Sequence, residues 1–198
     1  MKYRALLVAL PLAAMIGTAN AQPRTSEIRD NGFSWNYVQF GIVTEDWDGG
    51  FDRDALYGRL SYALDEHLFL RGSVSLYDGD AGNRGYYGVG LSGGLGFHTP
   101  LQRNLDLVLT GDVLHDRYKV GGNRDRENGF RGAGGIRHRT SDQIELSGGA
   151  FMQRMYRDNE IGLYGEMLVK VTPTFDVGAD LQFGDDVTAV GVFGRVGF

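Results

Sequence analysis

Between residues 86 and 98 the chain alternates with a strict period of two. Tyr87, Val89, Leu91, Gly93, Leu95 and Phe97 fall on one face; Tyr86, Gly88, Gly90, Ser92, Gly94 and Gly96 fall on the other. Successive side chains point to opposite sides only in a β-strand. The pattern recurs in ten segments, near 34–44, 54–64, 68–78, 86–98, 104–117, 128–139, 143–154, 161–171, 175–184 and 187–198. The fold predicted from it is all-β.

The links between segments sort into two kinds. Those after the second, fourth, sixth and eighth segments are short, and they hold Pro100 and Pro173, where a missing N–H does no harm. The others, Glu45–Arg53, Gly79–Gly85, Lys119–Glu127, Met155–Glu160 and Asp185–Asp186, are mostly longer and richly charged. Short turns on one side and longer loops on the other are the signature of an antiparallel up-and-down transmembrane β-barrel. Ten strands is the expectation, which puts both chain ends on the periplasmic side and the long loops outside. Eight is the alternative, because the ninth and tenth segments are joined by about two residues.

The apolar face is assigned outward, to lipid. It holds Val38, Phe40 and Ile42, then Leu56, Leu60 and Tyr62, and continues through Leu68, Leu70, Leu107, Leu109, Ile136, Leu146, Met152, Leu163, Val177 and Leu181. No charge falls on it in mid-strand, where Arg or Lys would cost about 2–4 kcal/mol. Outward aromatics form two predicted girdles: Tyr62, Phe97, Phe175 and Phe198 at the periplasmic end, Tyr87, Phe130, Tyr156 and Phe183 at the other. A soluble barrel would alternate too, with its apolar face inward. The link pattern, the girdles and the two chain ends favour the membrane.

At the N-terminus Lys2 and Arg4 precede an apolar run, Ala5–Gly17, and then Ala19-Asn20-Ala21. This is a secretory signal with cleavage expected at Ala19 and Ala21, the run being too short to span a bilayer. The predicted organisation is a cleaved signal over 1–21, a periplasmic segment over 22–33 and a barrel over 34–198. Losing Lys2 and Arg4 leaves 18 basic against 25 acidic groups. That balance argues against nucleic acid as a partner. With no cysteine in the chain, disulfides, Cys-based zinc sites and thiol catalysis are excluded.

The chain ends with Val190, Val192, Val196 and a terminal Phe198 at alternate positions. This resembles the C-terminal signal read by the outer-membrane barrel assembly machinery, which makes that machinery an implied partner. A barrel in lipid also needs its last strand to close on its first. With its strand pattern, the mature chain is similar to small outer-membrane β-barrels of the OmpA/OmpX-like kind, with one hairpin more than the eight-strand members. It also resembles the short barrels labelled sulfation-dependent quorum factor. The resemblance implies a monomeric, integral outer-membrane protein of a Gram-negative cell, in contact with lipid and lipopolysaccharide.

Inside the barrel the pattern places six basic residues, Arg59, Arg71, Arg131, Arg137, Lys170 and Arg195, and six acidic ones, Asp106, Asp112, Glu145, Glu166, Asp176 and Asp180. Buried charges are tolerated when paired, so a network is expected, with Arg137 and Glu145 as one cross-strand pair. Such an interior is either a plugged scaffold or a narrow polar channel. The inward glycines of the fourth segment leave space for a side chain from the opposite wall, or for water.

Catalysis is not expected, and neither is a cofactor or a metal. Ten strands is also the number in the omptin proteases, which pair Asp with His at the rim. Here the one histidine at the outer rim is His115, beside Asp112 and Asp116. The stretch Asp78–Asn83 looks faintly like a calcium loop but lacks the ligand count. Three functions are therefore weighed. The leading one is a non-enzymatic barrel supporting envelope integrity or surface contact through its loops, with Arg84, Arg124, Arg126, Arg154 and Arg157 available to lipopolysaccharide. The second is a narrow channel for ions or very small solutes, and the third is a hydrolase at the rim.

Overall fold

A computed structural model describes residues 32–48, 50–81, 84–156 and 158–198. The predicted signal, Ala19, Ala21 and the tail as far as Asn31 lie outside the described residues, as do Gly82, Asn83 and Arg157.

Ten strands follow one another: β1 (Tyr37–Trp47), β2 (Phe51–Ala63), β3 (Leu68–Ala81), β4 (Arg84–Gln102), β5 (Leu105–Val120), β6 (Asn123–Arg139), β7 (Ile144–Met155), β8 (Asp158–Lys170), β9 (Phe175–Gly184) and β10 (Val187–Gly197). Each pairs antiparallel with its neighbour in sequence, and β1 pairs with β10, closing the barrel. The eight-strand alternative falls because β9 and β10 are separate strands, registered from Thr188 opposite Phe183 to Val196 opposite Phe175.

The faces follow the alternation. Along β10, Val187, Ala189, Gly191, Phe193 and Arg195 are buried, while Val190 and Val192 are more than half exposed. Around the barrel the large apolar side chains point out: Val113 is 68% exposed and Leu163 62%, whereas the inward Phe151 and Leu168 are each 2%. A continuous apolar belt of this kind meets lipid rather than water. The interior is too narrow for a large apolar core; its buried hydrophobic cluster is Tyr57, Leu168 and Phe193. The molecule is a transmembrane β-barrel.

Three local expectations need correction. First, the charged links are not long loops. β4, β5 and β6 run for 19, 16 and 17 residues, and the links opposite the chain ends shrink to residues 48–50, 82–83, 121–122, 156–157 and 185–186. A bilayer needs only about 9–11 residues per strand. Beyond it both faces of a hairpin can be polar while the backbone ladder continues, so charge marks where the strands leave lipid, not where they stop. Second, β1 starts at Tyr37, three residues late, because Phe33–Asn36 fold across the barrel end. Third, Tyr156 is not a girdle residue. Its φ of 53° turns its side chain back over the barrel mouth, where it meets Tyr118 edge to face.

The inward glycines of β4 receive rings from the adjacent strand β3, not from the opposite wall. Phe69 lies over Gly96 and Tyr77 over Gly88, and in each case a Cβ on the glycine would collide with the ring or its hydroxyl.

Candidate functional site

Two ends can now be defined. The terminal end carries the start of β1, the end of β10 and the links 64–67, 103–104, 140–143 and 171–174. The far end carries the five tight hairpins.

Phe33 and Trp35 pack into the terminal end. Phe33 is buried beneath the guanidinium groups of Arg137 and Arg139, 4.8 and 4.9 Å from its ring centre. Trp35 stacks on Phe69 and on His98, at 4.5 and 4.3 Å. The segment is tied to β2: Ser61 Oγ donates to the Trp35 carbonyl at 2.7 Å, and the Ala63 amide donates to Asn36 Oδ1 at 2.8 Å. Behind it Arg137 donates to Glu145 Oε2 from Nη2 at 2.6 Å and from Nε at 3.0 Å. Arg139 and Lys170 approach the other carboxylate oxygen at 3.5 and 3.4 Å. Asp106 is wholly buried and faces His98 Nδ1 at 3.1 Å.

The middle of the barrel holds a cavity of about 300 Å³. Arg195 donates from Nη2 to Glu166 at 2.7 Å and to Gln39 at 3.0 Å. Tyr57 donates to Asp180 at 2.9 Å, with Arg59 at 3.9 Å from the same carboxylate oxygen. Arg71 Nε lies 3.1 Å from Asp112. Arg131 has no carboxylate within ion-pair distance among the described residues and donates to Gln182 at 2.9 Å, its guanidinium over the Phe151 ring at 4.2 Å. Asp176 stands opposite Arg195 in the β9–β10 register, but the arginine turns to Glu166 instead.

The far end opens into a larger cavity, about 750 Å³, that shares Gln153 with the middle one. Trp47, Tyr77, Tyr86, Tyr118 and Tyr156 line it. Arg53 sits at its wall, donating from Nε to Glu45 at 2.7 Å, with its guanidinium 4.9 Å from the Tyr77 ring centre and 5.6 Å from that of Trp47. Asp116 accepts from Tyr77 at 2.6 Å and from the Tyr156 hydroxyl.

Eleven of the twelve charges named from the alternation have a hydrogen-bond or ion-pair partner here, and Asp176 has its register position opposite Arg195. The alternation missed Phe33 and Trp35 as a stopper, His98 with Asp106, Arg139, and the Arg53–Glu45 and Asp116–tyrosine groups at the mouth. The same parity count, continued into the charged links, would have found Arg53 and Glu45, while Asp116 and Tyr77 already share the inward parity of Asp112 and Arg71 within their own segments. The hydrolase constellation at His115 does not form. Its Nδ1 pairs with Asn128 at 2.7 Å and its Nε2 accepts from Arg117 at 3.1 Å, while Asp112 and Asp116 point to the other face of β5.

The fold and its lipid-facing belt define the class as a transmembrane β-barrel of the outer-membrane type. Among solved structures, the β domain of the Bordetella autotransporter BrkA is similar, with 11% identity over 82% of this chain and 98% of that one and a TM-score of 0.55. The translocator domain of the autotransporter NalP from Neisseria meningitidis is 12% identical over 82% of this chain and 88% of that one, with a TM-score of 0.49. Neisserial surface protein A is 14% identical over 83% and 98%, with a TM-score of 0.47. At such identities the likeness concerns the fold alone. No protein-family model and no curated protein matches the chain.

Proposed function

We propose that this is a monomeric, non-enzymatic outer-membrane barrel, closed to ion flow, that faces the periplasm with its terminal end and makes surface contact through its far hairpins. The observation that carries the reading is the stopper: Phe33 and Trp35 are packed into the terminal end and backed by the Glu145 cluster. Lipid covers the apolar belt. The exposed Arg84, Arg124, Arg126 and Arg154 at the far end suit the phosphates of lipopolysaccharide. Val190, Val192, Val196 and Phe198 serve as the assembly signal, and closure by β10 leaves no free strand edge to drive oligomerisation.

A narrow channel is the second reading, favoured by one feature. The central cavity, with Arg59, Arg71 and Arg131 on its wall, adjoins the open mouth at Gln153.

Conductance separates the two. The full chain is expressed with its leader, extracted from outer membranes and placed in a planar bilayer beside Trp35→Ala. The closed reading expects a silent parent and a leaky variant. Discrete conducting steps from the parent would overturn it in favour of the channel.

A further inference from the structure

The far mouth has more negative charge and more aromatic surface than closing a barrel requires. Its volume of about 750 Å³ lies in the range of small-molecule sites, and aromatic side chains make up much of its wall.

Its charge is lopsided. The described lining residues include two cations, Arg53 and Arg84, and four carboxylates, Asp48, Asp158, Glu160 and Asp186. Arg53 is already engaged by Glu45. Among the described lining residues that leaves Arg84 to face four carboxylates, with Arg131, which donates to Gln153 at 3.5 Å where the two cavities meet, acting on Glu160 from below. Glu160 is the telling member. It is only 7% exposed, and its Oε1 is buried without a hydrogen-bond partner. A carboxylate held this way is costly unless a positive group comes to it.

The surrounding rings are suited to deliver one. An aromatic face attracts a cation through its quadrupole, most strongly where water is excluded. The mouth already does this internally, since the Arg53 guanidinium lies over both Tyr77 and Trp47. Tyr86, Tyr118 and Tyr156 offer the same surface to a visitor, and Tyr118 and Tyr156 are set edge to face at 5.6 Å.

We propose that the far mouth binds a small organic cation, an ammonium group carried on an apolar or aromatic body. Glu160, with Asp158 and Asp186, answers the charge; Tyr86, Tyr118 and Tyr156 receive the body. Anionic molecules of the same size are turned away by the carboxylates. Binding depends neither on which way the barrel faces nor on whether it conducts, so its failure would leave the proposed function standing.

The chain has two tryptophans, Trp35 in the stopper and Trp47 in the mouth. In a Trp35→Phe background, Trp47 alone reports on the site. The full-length chain is expressed, extracted and held in an alkyl maltoside, which carries no ammonium headgroup. It is titrated with benzyltrimethylammonium and, separately, with benzenesulfonate. The expected result is a saturable change in Trp47 emission with the cation and none with the sulfonate. Glu160→Gln should weaken the cation about tenfold, and Tyr118→Leu by a few-fold. Folding of each variant is checked by heat-modifiable migration. Should Glu160→Gln not fold, Tyr118→Leu and a salt titration decide, because screening must weaken this affinity. No saturable response from folded protein, an equal response to benzenesulfonate, or an affinity indifferent to salt and to Tyr118 would overturn the proposal.

Discussion

The two ends of this barrel use similar residues to opposite effect. At the terminal end the carboxylates are well supplied: Glu145 meets Arg137, Arg139 and Lys170, and Asp106 meets His98. Aromatic rings there lie against arginines and against each other, and Trp35 and Phe69 line the near end of the central cavity. At the far end aromatic rings stand around a cavity, and Glu160 has an oxygen with no donor. In a low-dielectric lumen a charge with all its partners stabilises and closes the structure, while one without them has to be met from outside. The difference between stopper and mouth therefore lies in the carboxylates: those of the stopper have their donors, and there it is Arg139 Nε and Nη2 that are buried without a hydrogen-bond partner.

The largest test of that contrast is Glu145→Ala, which leaves Arg137, Arg139 and Lys170 facing one another without their carboxylate. It should lower the unfolding free energy by about 3–5 kcal/mol, read from urea titrations of the barrel in lipid vesicles. A loss under about 1 kcal/mol would mean that water, not Glu145, satisfies those cations and that the two ends are alike. A smaller effect is expected at the mouth. Tyr156→Phe removes one of the two hydroxyls donating to Asp116 and should cost about 1–2 kcal/mol, since Tyr77 still donates. The same titration checks it, and a cost matching that of Glu145→Ala would erase the contrast.

The smallest effect lies in the turn at the terminal end. Asp65 accepts the amides of His67 and Leu68, each at 2.7 Å, and these bonds hold its carboxyl below the ordinary value near 3.8. A depressed carboxyl stabilises the fold above its ordinary value, and that contribution is lost as pH falls through the lower, folded value. Acid titration should therefore show a loss beginning below about pH 4, flattened in Asp65→Asn. Superimposable curves would show that the turn does not depend on that charge.

The period of two made most of the fold legible. It gave ten strands, their order and the parity of the mid-strand charges, because parity survives errors of a few residues at strand ends. It did not give height or azimuth. Arg195 and Asp176 are register partners, yet Arg195 reaches across to Glu166, a choice made by the length and flexibility of its side chain. Nor did it reveal hairpin length, because a strand that has left the bilayer keeps its ladder while losing its apolar face. Tyr156 escaped because parity fails where φ turns positive. Trp35 escaped because a short apolar stretch before a strand looks like more strand, and Phe33 because it falls in the predicted periplasmic segment.

The seam between β1 and β10 registers Tyr37 with Gly197 and Trp47 with Val187. Those partners come from opposite ends of the barrel sequence, while every other strand pair joins neighbours. The nine hairpin contacts can form as each strand appears, at small entropic cost. The seam must wait for the whole chain and bring its two extremes together. Closure is then the slow, committed event in folding, and Phe33 and Trp35, which lead directly into β1, settle into the terminal end as part of it. The order of assembly would set the stopper last, after the wall around it is complete.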